Sequence, residues 1–544
     1  MINLEKENSE KKIFFGGNII TMNDDQPIVD AVGIIGEKIV AVGTLPEVKN
    51  KIGSGALLIN LKGKTLLPGF IDSHIHPILL IFFSFNIDLK NVKSIKELQE
   101  ILRNAVKDRS KNELILGLSL NEENFENPKE RVLPTKLDLD KICPEHPIFL
   151  MRYDGHIGVA NSKALEFAGI TDDTVAPEGG EIRKDENGRL NGQLSEAAMS
   201  LILNKISFPS VEKLKEYAKK AFNLLASKGI TSVHGIVQAE AGGEIGDVGA
   251  IEFAVLKSIL DIIPQNWYSL VYVNNPKKLK RLKKPPFDNN IPESKFKLRC
   301  LKLFADGTYG AATALMYEPF ADQPDKSGFL VVSEEELYEK MKIAHQLGFQ
   351  IGIHTIGDKA NRIVVNLYKK LLKEFPKQDH RHRIEHASTL TPDIIKDMAE
   401  LGLIASCQPP FINSEYTWLE KRLGKERCKF AYPIKSLINE GVIVASGSDC
   451  PVEDPDVIKG LHALVTRNGF IPEEQISIMD ALKTYTINGA YAAFEENIKG
   501  SIEVGKLADF VILDRNPLEI PPEEIKNIKV LETIVRGKTI FKLN

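Results

Sequence analysis

The run Leu66-Leu67-Pro68-Gly69-Phe70-Ile71-Asp72-Ser73-His74-Ile75-His76 is apolar until it ends in two imidazoles one residue apart. Strand side chains alternate between faces, so His74 and His76 point the same way, with Asp72 one step deeper on that face. Two neighbouring imidazoles are a pair of nitrogen ligands for a metal ion. Three more groups of ligand chemistry, His354, His386 and Asp449, stand at the ends of other apolar stretches, and Lys302 lies inside one. Taken singly each has a structural explanation: a strand-end histidine serves as a hydrogen-bonded loop residue, and Asp449 in Ser446-Gly447-Ser448-Asp449 as a helix N-cap. Four histidines and an aspartate at strand ends, in a chain with 11 histidines, point instead to a shared centre.

A repeating element must bring these residues together. Apolar strand candidates at 69–76, 229–235, 267–273, 298–306, 349–354, 382–386, 403–408 and 442–449 alternate with helical stretches, the pattern of parallel βα units. Eight of them make an α/β fold, a (β/α)8 TIM-like barrel over 68–497, whose active site is built at the C-terminal ends of its strands. Residues 79–205 are too long for a simple crossover and read as an inserted subdomain. Residues 1–67 and 498–544 both carry short alternating strands and are expected to form one composite β-sandwich domain.

Lys302, in Cys300-Leu301-Lys302-Leu303-Phe304-Ala305-Asp306, is a charge in a strand expected to be buried. A buried ammonium is costly unless paired or deprotonated. A neutral amine there could add carbon dioxide, and the carbamate would offer two anionic oxygens able to bridge two ions; pairing with Asp306 or Asp449 is the structural alternative.

The order His-x-His, Lys, His, His, Asp on strands one, four, five, six and eight resembles the amidohydrolase superfamily, and within it the family 3 branch that includes N-substituted formamide deformylases. Further matches run along most of the chain: Phe149-Leu-Met-Arg-Tyr-Asp-Gly-His156, Asn161-Ser-Lys-Ala-Leu165, Gly180-Glu-Ile-Arg183, Gln193-Leu-Ser-Glu-Ala-Ala198, Lys302-Leu-Phe-Ala-Asp-Gly307, His354-Thr-Ile-Gly-Asp358, Arg383-Ile-Glu-His-Ala387, Gly447-Ser-Asp-Cys-Pro451 and Gly500-Ser-Ile-Glu-Val-Gly-Lys-Leu-Ala-Asp509. The resemblance implies that His74, His76 and Asp449 hold one metal, that His354 and His386 hold the other, and that carboxylated Lys302 bridges them. Two departures stand out. Where the branch often carries Gly-Ser-Arg-Thr-Ala, this chain has Gly310-Ala311-Ala312-Thr313-Ala314, without the arginine, and His234 is followed by Gly235 rather than an acidic residue.

The expected activity is hydrolysis of a non-peptide amide-type carbon–nitrogen bond of a small molecule. An ion lowers the pKa of bound water to supply hydroxide, and Asp449 moves the proton to the leaving nitrogen. Two zinc ions suit the ligand types, which also admit Mn, Fe, Co or Ni. His156 in the insert, His234 at the end of strand two and Asp306 beside Lys302 are candidate substrate contacts, each with a loop or core role as the alternative. His146, His345, His380, His382 and His462 read as solvated, while Ile81, Phe82 and Phe83 read as a pocket wall or as core. A mononuclear deaminase of the same superfamily would not need a carboxylated lysine; a catalytically inactive barrel acting as a scaffold would be expected to have lost ligands, and here every one is present.

Composition agrees with an enzyme of this kind. A hydrophobic fraction of 43%, a charged fraction of 26% and a net charge of -4 describe a globular chain without a nucleic-acid surface. The longest apolar run, 78–83, is too short to cross a bilayer, and the polar, acidic start reads against a secretory signal. The five cysteines are scattered. The expectation is a cytoplasmic enzyme, with a homodimer as the default assembly.

Overall fold

The computed structural model describes residues 10–543 apart from 85, 108, 110–112, 154–156, 178–179, 206–209, 240–251 and 283–294. Strands β1 (Phe70–Ile75), β2 (Ile230–Gln238), β3 (Asn266–Tyr272), β4 (Phe296–Phe304), β5 (Gln350–Thr355), β6 (Arg383–His386), β7 (Ile404–Cys407) and β8 (Val444–Ser446) form one parallel sheet in sequential order. β1, β2 and β5 to β8 are buried along their whole length, as strands covered on both faces must be. All eight expected strands are present, and the α/β barrel is the fold.

β8 is much shorter than the stretch 442–449 suggested. After Ser446 the backbone of Gly447 runs so close to His74 that a Cβ would stand 2.4 Å from its amide nitrogen, and Asp449 turns into the left-handed region with φ 62°. The ring therefore closes by a stitched seam. The amide of Asp449 donates to the carbonyl of His74 (2.7 Å) and that of His76 to the carbonyl of Cys450 (2.9 Å). Asp72, buried in β1, accepts from the amide (3.0 Å) and hydroxyl (2.6 Å) of Ser448.

Contacts divide the chain into two compact units, Met1–Pro77 with Lys219–Ala239 and Ile259–Asn544, and Ile78–Ala218 with Glu240–Ser258. In the first unit the sandwich expected from the two chain ends takes the form of one eight-stranded sheet. It runs Lys538–Lys542, Val530–Val535, Phe510–Leu513, Thr65–Pro68, Lys11–Ile20, Ile28–Ile35, Lys38–Gly43, with Leu57–Asn60 paired to Lys11–Ile20. Its core joins the termini directly, the ring of Phe14 meeting that of Phe510 edge-on at 5.6 Å. The second unit has its own six-stranded sheet, and Phe82 and Phe83 pack on its core beside Leu116, Phe149 and Leu194. Among the described residues no helix is long and apolar enough to cross a membrane.

The structure corrects the reading of several histidines as solvated: His345, His380 and His382 at the N-terminal end of the barrel, and His462 in the helix Val457–Thr466, are buried. Three of them form one network. His345 donates from Nε2 to the carbonyl of Phe375 (2.9 Å), leaving Nδ1 to accept from Nε2 of His382 (2.8 Å). His382 Nδ1 accepts the amide of Ile351 (3.1 Å), and His380 accepts the amide of His382 (2.9 Å) while donating to the carbonyl of Leu401 (2.9 Å). Each ring has one donor and one acceptor in use, so an added proton would face another proton. Burial, the largest cause, and the neighbouring Lys377 hold all three below the ordinary histidine value of 6.5. The unfolded chain thus binds protons the folded chain refuses, and stability is full above about pH 6.5 and falls as pH drops below it. Each such histidine contributes a slope of up to about 1.4 kcal/mol per pH unit. The thermal midpoint is expected to be flat above pH 7 and to fall steeply from pH 6.5 to 5.5. His382→Asn should be less stable at pH 7.5 yet lose less over that range; an equal loss in both proteins would exclude the network as its source.

Candidate metal centre

β1 delivers His74 and β6 delivers His386, while His76 and Asp449 come from the turns that continue β1 and β8. His386 (φ 72°) and Asp449 (φ 62°) both hold left-handed backbone, as does Ala387 (φ 50°). Such conformations cost of order 1–3 kcal/mol for a residue with a Cβ and persist where the surroundings enforce them, commonly at functional sites.

His74, His76 and Asp449 place one donor atom each within 4.8 Å of one another, and all three are buried. Asp449 Oδ1 stands 3.1 Å from His76 Nε2 and 3.4 Å from His74 Nε2, yet His74 Nε2 makes no hydrogen bond. Donors about 2.0–2.1 Å from a tetrahedral ion stand roughly 3.3 Å apart, so both spacings fit a common ion, while the 3.1 Å one is also that of a direct hydrogen bond. His386 Nδ1 is likewise buried without a hydrogen-bond partner. Its ring lies 4.4 Å from that of His354 and 4.8 Å from that of His74, which brings the second pair of imidazoles beside the first. The donor set, imidazoles with lone pairs left over and one carboxylate, is that of a divalent-metal site.

Protonation favours ligation. Burial and then the Lys302 cation lower His354 to about 3, and burial holds His386 well below its ordinary value, so both imidazoles are neutral at neutral pH. Asp449 is pushed up by burial but pulled down further by the His74 and His76 imidazoles, and lies well below the usual carboxylate range. Lys302 is 1% exposed on β4, its ammonium 4.6 Å from the centre of the Phe304 ring.

A second layer, which reading the residues did not assign, orients the first. Glu385 Oε2 accepts from His74 Nδ1 at 2.6 Å; a carboxylate can only accept, so Nδ1 carries a proton and Nε2 is the nitrogen of His74 that could ligate an ion. Glu385 is anchored by Arg383, whose Nε lies 2.7 Å from Oε1. Arg383 also donates to the carbonyl of Ser73 (2.6 Å), the hydroxyl of Ser406 (2.8 Å) and Nδ1 of His234 (3.0 Å). Both charges are fully buried, and against the cost of burial Arg383 holds Glu385 well below its usual value. Two opposite charges two residues apart on a strand expected to be covered on both faces are the signal that could have found this pair.

The other candidates fall as follows. His234 is 1% exposed and accepts from Arg383 beneath the ligands. Asp306 spends both oxygens on the amides of Ile356 (3.0 Å), Gly357 (2.8 Å) and Leu315 (2.9 Å), tying three loop segments together, and burial raises it to about 7. His156 lies outside the described residues. The two departures also find physical reasons. Near the arginine-free loop 309–314 a guanidinium arrives from Arg422, which donates to the carbonyls of Tyr309 and Gly310 and pairs with Asp322. A side chain on Gly235 would collide with the Trp267 indole at 2.4 Å.

Comparison with known proteins agrees with this architecture. The sequence profile of the amidohydrolase family matches residues 57–541. The protein LONG AFTER FAR-RED 3 of Arabidopsis thaliana is 32% identical, covering 96% of this chain and 90% of its own length. The N-substituted formamide deformylase of Arthrobacter pascens is 26% identical over 96% of this chain and 97% of its own. The crystal structure of an uncharacterized metal-dependent hydrolase from Pyrococcus horikoshii superposes with a TM-score of 0.77 at 28% identity, covering 94% of this chain and 99% of that one. The chain belongs to the amidohydrolase family, in its family 3 branch, and is a metal-dependent hydrolase.

Proposed function

We propose that this enzyme hydrolyses the amide-type bond of a small, non-peptide molecule to an acid and an amine, in the cytoplasm, with two zinc ions as cofactors. The observation that carries the reading is the approach of His74 Nε2 and Asp449 Oδ1 to 3.4 Å without a hydrogen bond, with His76 3.1 Å from the same oxygen. His74, His76 and Asp449 would hold one ion and His354 and His386 the other, with Lys302 between them as the carbamate formed when its amine adds carbon dioxide and releases a proton. Ions so held supply Lewis acidity, making water acidic enough to attack at neutral pH and polarising the carbonyl under attack. The chain's own groups do the rest. An Asp449 carboxylate oxygen accepts the proton of the attacking water and returns it to the leaving nitrogen. Glu385 keeps His74 in the tautomer that leaves Nε2 free to ligate, and Arg383 keeps Glu385 charged.

A mononuclear deaminase is the second reading. It is favoured by the fact that, among the described residues, one group alone, His74, His76 and Asp449, has three such donors within 4.8 Å of one another. Metal analysis of protein loaded in the presence of bicarbonate separates the two. The expected result is two ions per chain and an added mass of one carbon dioxide; one ion or none would remove the two-ion form. A screen of the loaded enzyme against N-acyl amines, N-formyl compounds, N-acyl amino acids, cyclic amides and simple esters then identifies the bond, and turnover of none of the amides would remove the amide reading.

A further inference from the structure

The candidate ligands of the two proposed ions are oriented by different kinds of partner. His74 is held by a carboxylate, Glu385. His354, at the end of β5, is held by backbone: its Nε2 lies 3.1 Å from the carbonyl oxygen of Gly307, in the loop that follows β4. A carbonyl oxygen accepts and cannot donate, so Nε2 carries a hydrogen and Nδ1 is the nitrogen of His354 that could ligate an ion. Asp306 Oδ1, 3.9 Å from Nε2, is too far away for a hydrogen bond.

That carbonyl belongs to a peptide group clamped at both ends. Its oxygen takes the hydrogen of His354, and its amide, that of Thr308, donates to Thr313 Oγ1 at 3.0 Å. The Thr313 side chain sits so close that a Cβ on Gly307 would stand 2.0 Å from Oγ1, so the position requires glycine. The amides of Thr313 (3.0 Å) and Ala314 (3.1 Å) close the turn by donating to the carbonyl of Thr308, and Asp306 anchors its far end through the amide of Leu315 (2.9 Å). Rotating the peptide between Gly307 and Thr308 would break both of its hydrogen bonds at once. An amide that donates makes its own carbonyl a better acceptor, so the Thr313 hydroxyl strengthens the hold on His354 through that peptide.

We infer that Thr313 is a positioning residue for the second ion: through the peptide between Gly307 and Thr308 it fixes the imidazole of His354 with Nδ1 left to ligate. This rests on the two-ion reading above and adds a path to it, from Thr313 Oγ1 through the Thr308 amide and the Gly307 carbonyl to His354 Nε2. It is the neutral counterpart of Arg383 and Glu385 behind His74.

The test counts ions rather than turnover. Wild type, Thr313→Val, Thr313→Ala and Thr313→Ser are loaded with zinc in the presence of bicarbonate and dialysed against buffers of graded free zinc, and bound zinc per chain is measured. Wild type and Thr313→Ser, which keeps the hydroxyl, are expected to hold two ions with the same affinities. Valine or alanine should weaken one ion by about 10- to 100-fold, the usual consequence of disturbing what orients a ligating histidine, and leave the other unchanged. His354→Asn should weaken that same ion, and adding Thr313→Val to it should then alter the remaining ion no further. Circular dichroism checks folding, and either of the two variants without the hydroxyl suffices. Two ions held equally well by all four proteins would overturn the role of Thr313 and leave the two-ion reading standing. So would a valine variant that weakens both ions alike, or a serine variant that behaves like valine. A wild type that binds one ion or none removes the two-ion reading and the positioning role with it.

Discussion

Replacing Asp449 by asparagine is expected to lower kcat by about a hundredfold to ten-thousandfold, the usual worth of a positioned proton-transfer group. The substitution isolates chemistry from shape. Asparagine keeps the size and one carbonyl oxygen of the carboxylate, and it tolerates left-handed backbone better than most residues, so the φ of 62° at this position is not a new source of strain. What disappears is the negative charge held low by His74 and His76, and with it the acceptor for the proton of water. KM should change far less than kcat, because the loss falls on the transition state. Near-normal turnover by a variant that still binds its ions would remove the proton-transfer role.

Glu385→Gln is expected to cost 10- to 100-fold in metal affinity, the usual consequence of losing the partner that orients a ligating histidine. It should also cost about 3–5 kcal/mol of stability, since the guanidinium of Arg383, fully buried, would lose its counter-charge. The two effects come apart in a second protein. Glu385→Gln combined with Arg383→Met removes the stranded cation, so stability should largely return while metal affinity stays low. Chelator competition measures the first quantity and urea unfolding of the metal-free protein the second. Recovery of both together would show that Glu385 acts on the ions only through the fold.

Much of this arrangement was legible in the chain because parallel strands buried on both faces leave long apolar runs, and the polar residues ending them are conspicuous. His74, His354 and His386 were found that way, and the barrel followed from the number of runs. Less legible was whatever depends on which way a strand faces once the ring closes. Arg383 and Glu385 were visible as letters of a motif, but their pairing inside the barrel needed β1, β2 and β7 around them. The same logic that flagged Lys302 as a costly buried charge applied to them equally. His345, His380 and His382 look like surface residues because they flank polar turns, and only packing at the N-terminal end of β5 and β6 takes them out of water. The shortness of β8 was hidden because the residues that end it read as ordinary strand and loop.

The seam between β8 and β1 ties the centre to the order of assembly. His74 and His76 leave the ribosome with the first barrel strand, but Asp449 belongs to the end of the last, held beside them where Ser448 docks on Asp72. Chains emerge and begin to fold from the N-terminus. A nascent chain therefore carries two of the three donors for most of its synthesis, and the three-donor pocket is complete only when the cylinder shuts. Selection of the ion is thereby postponed to a finished, shaped cavity, where geometry rather than raw affinity can choose among the cell's divalent metals.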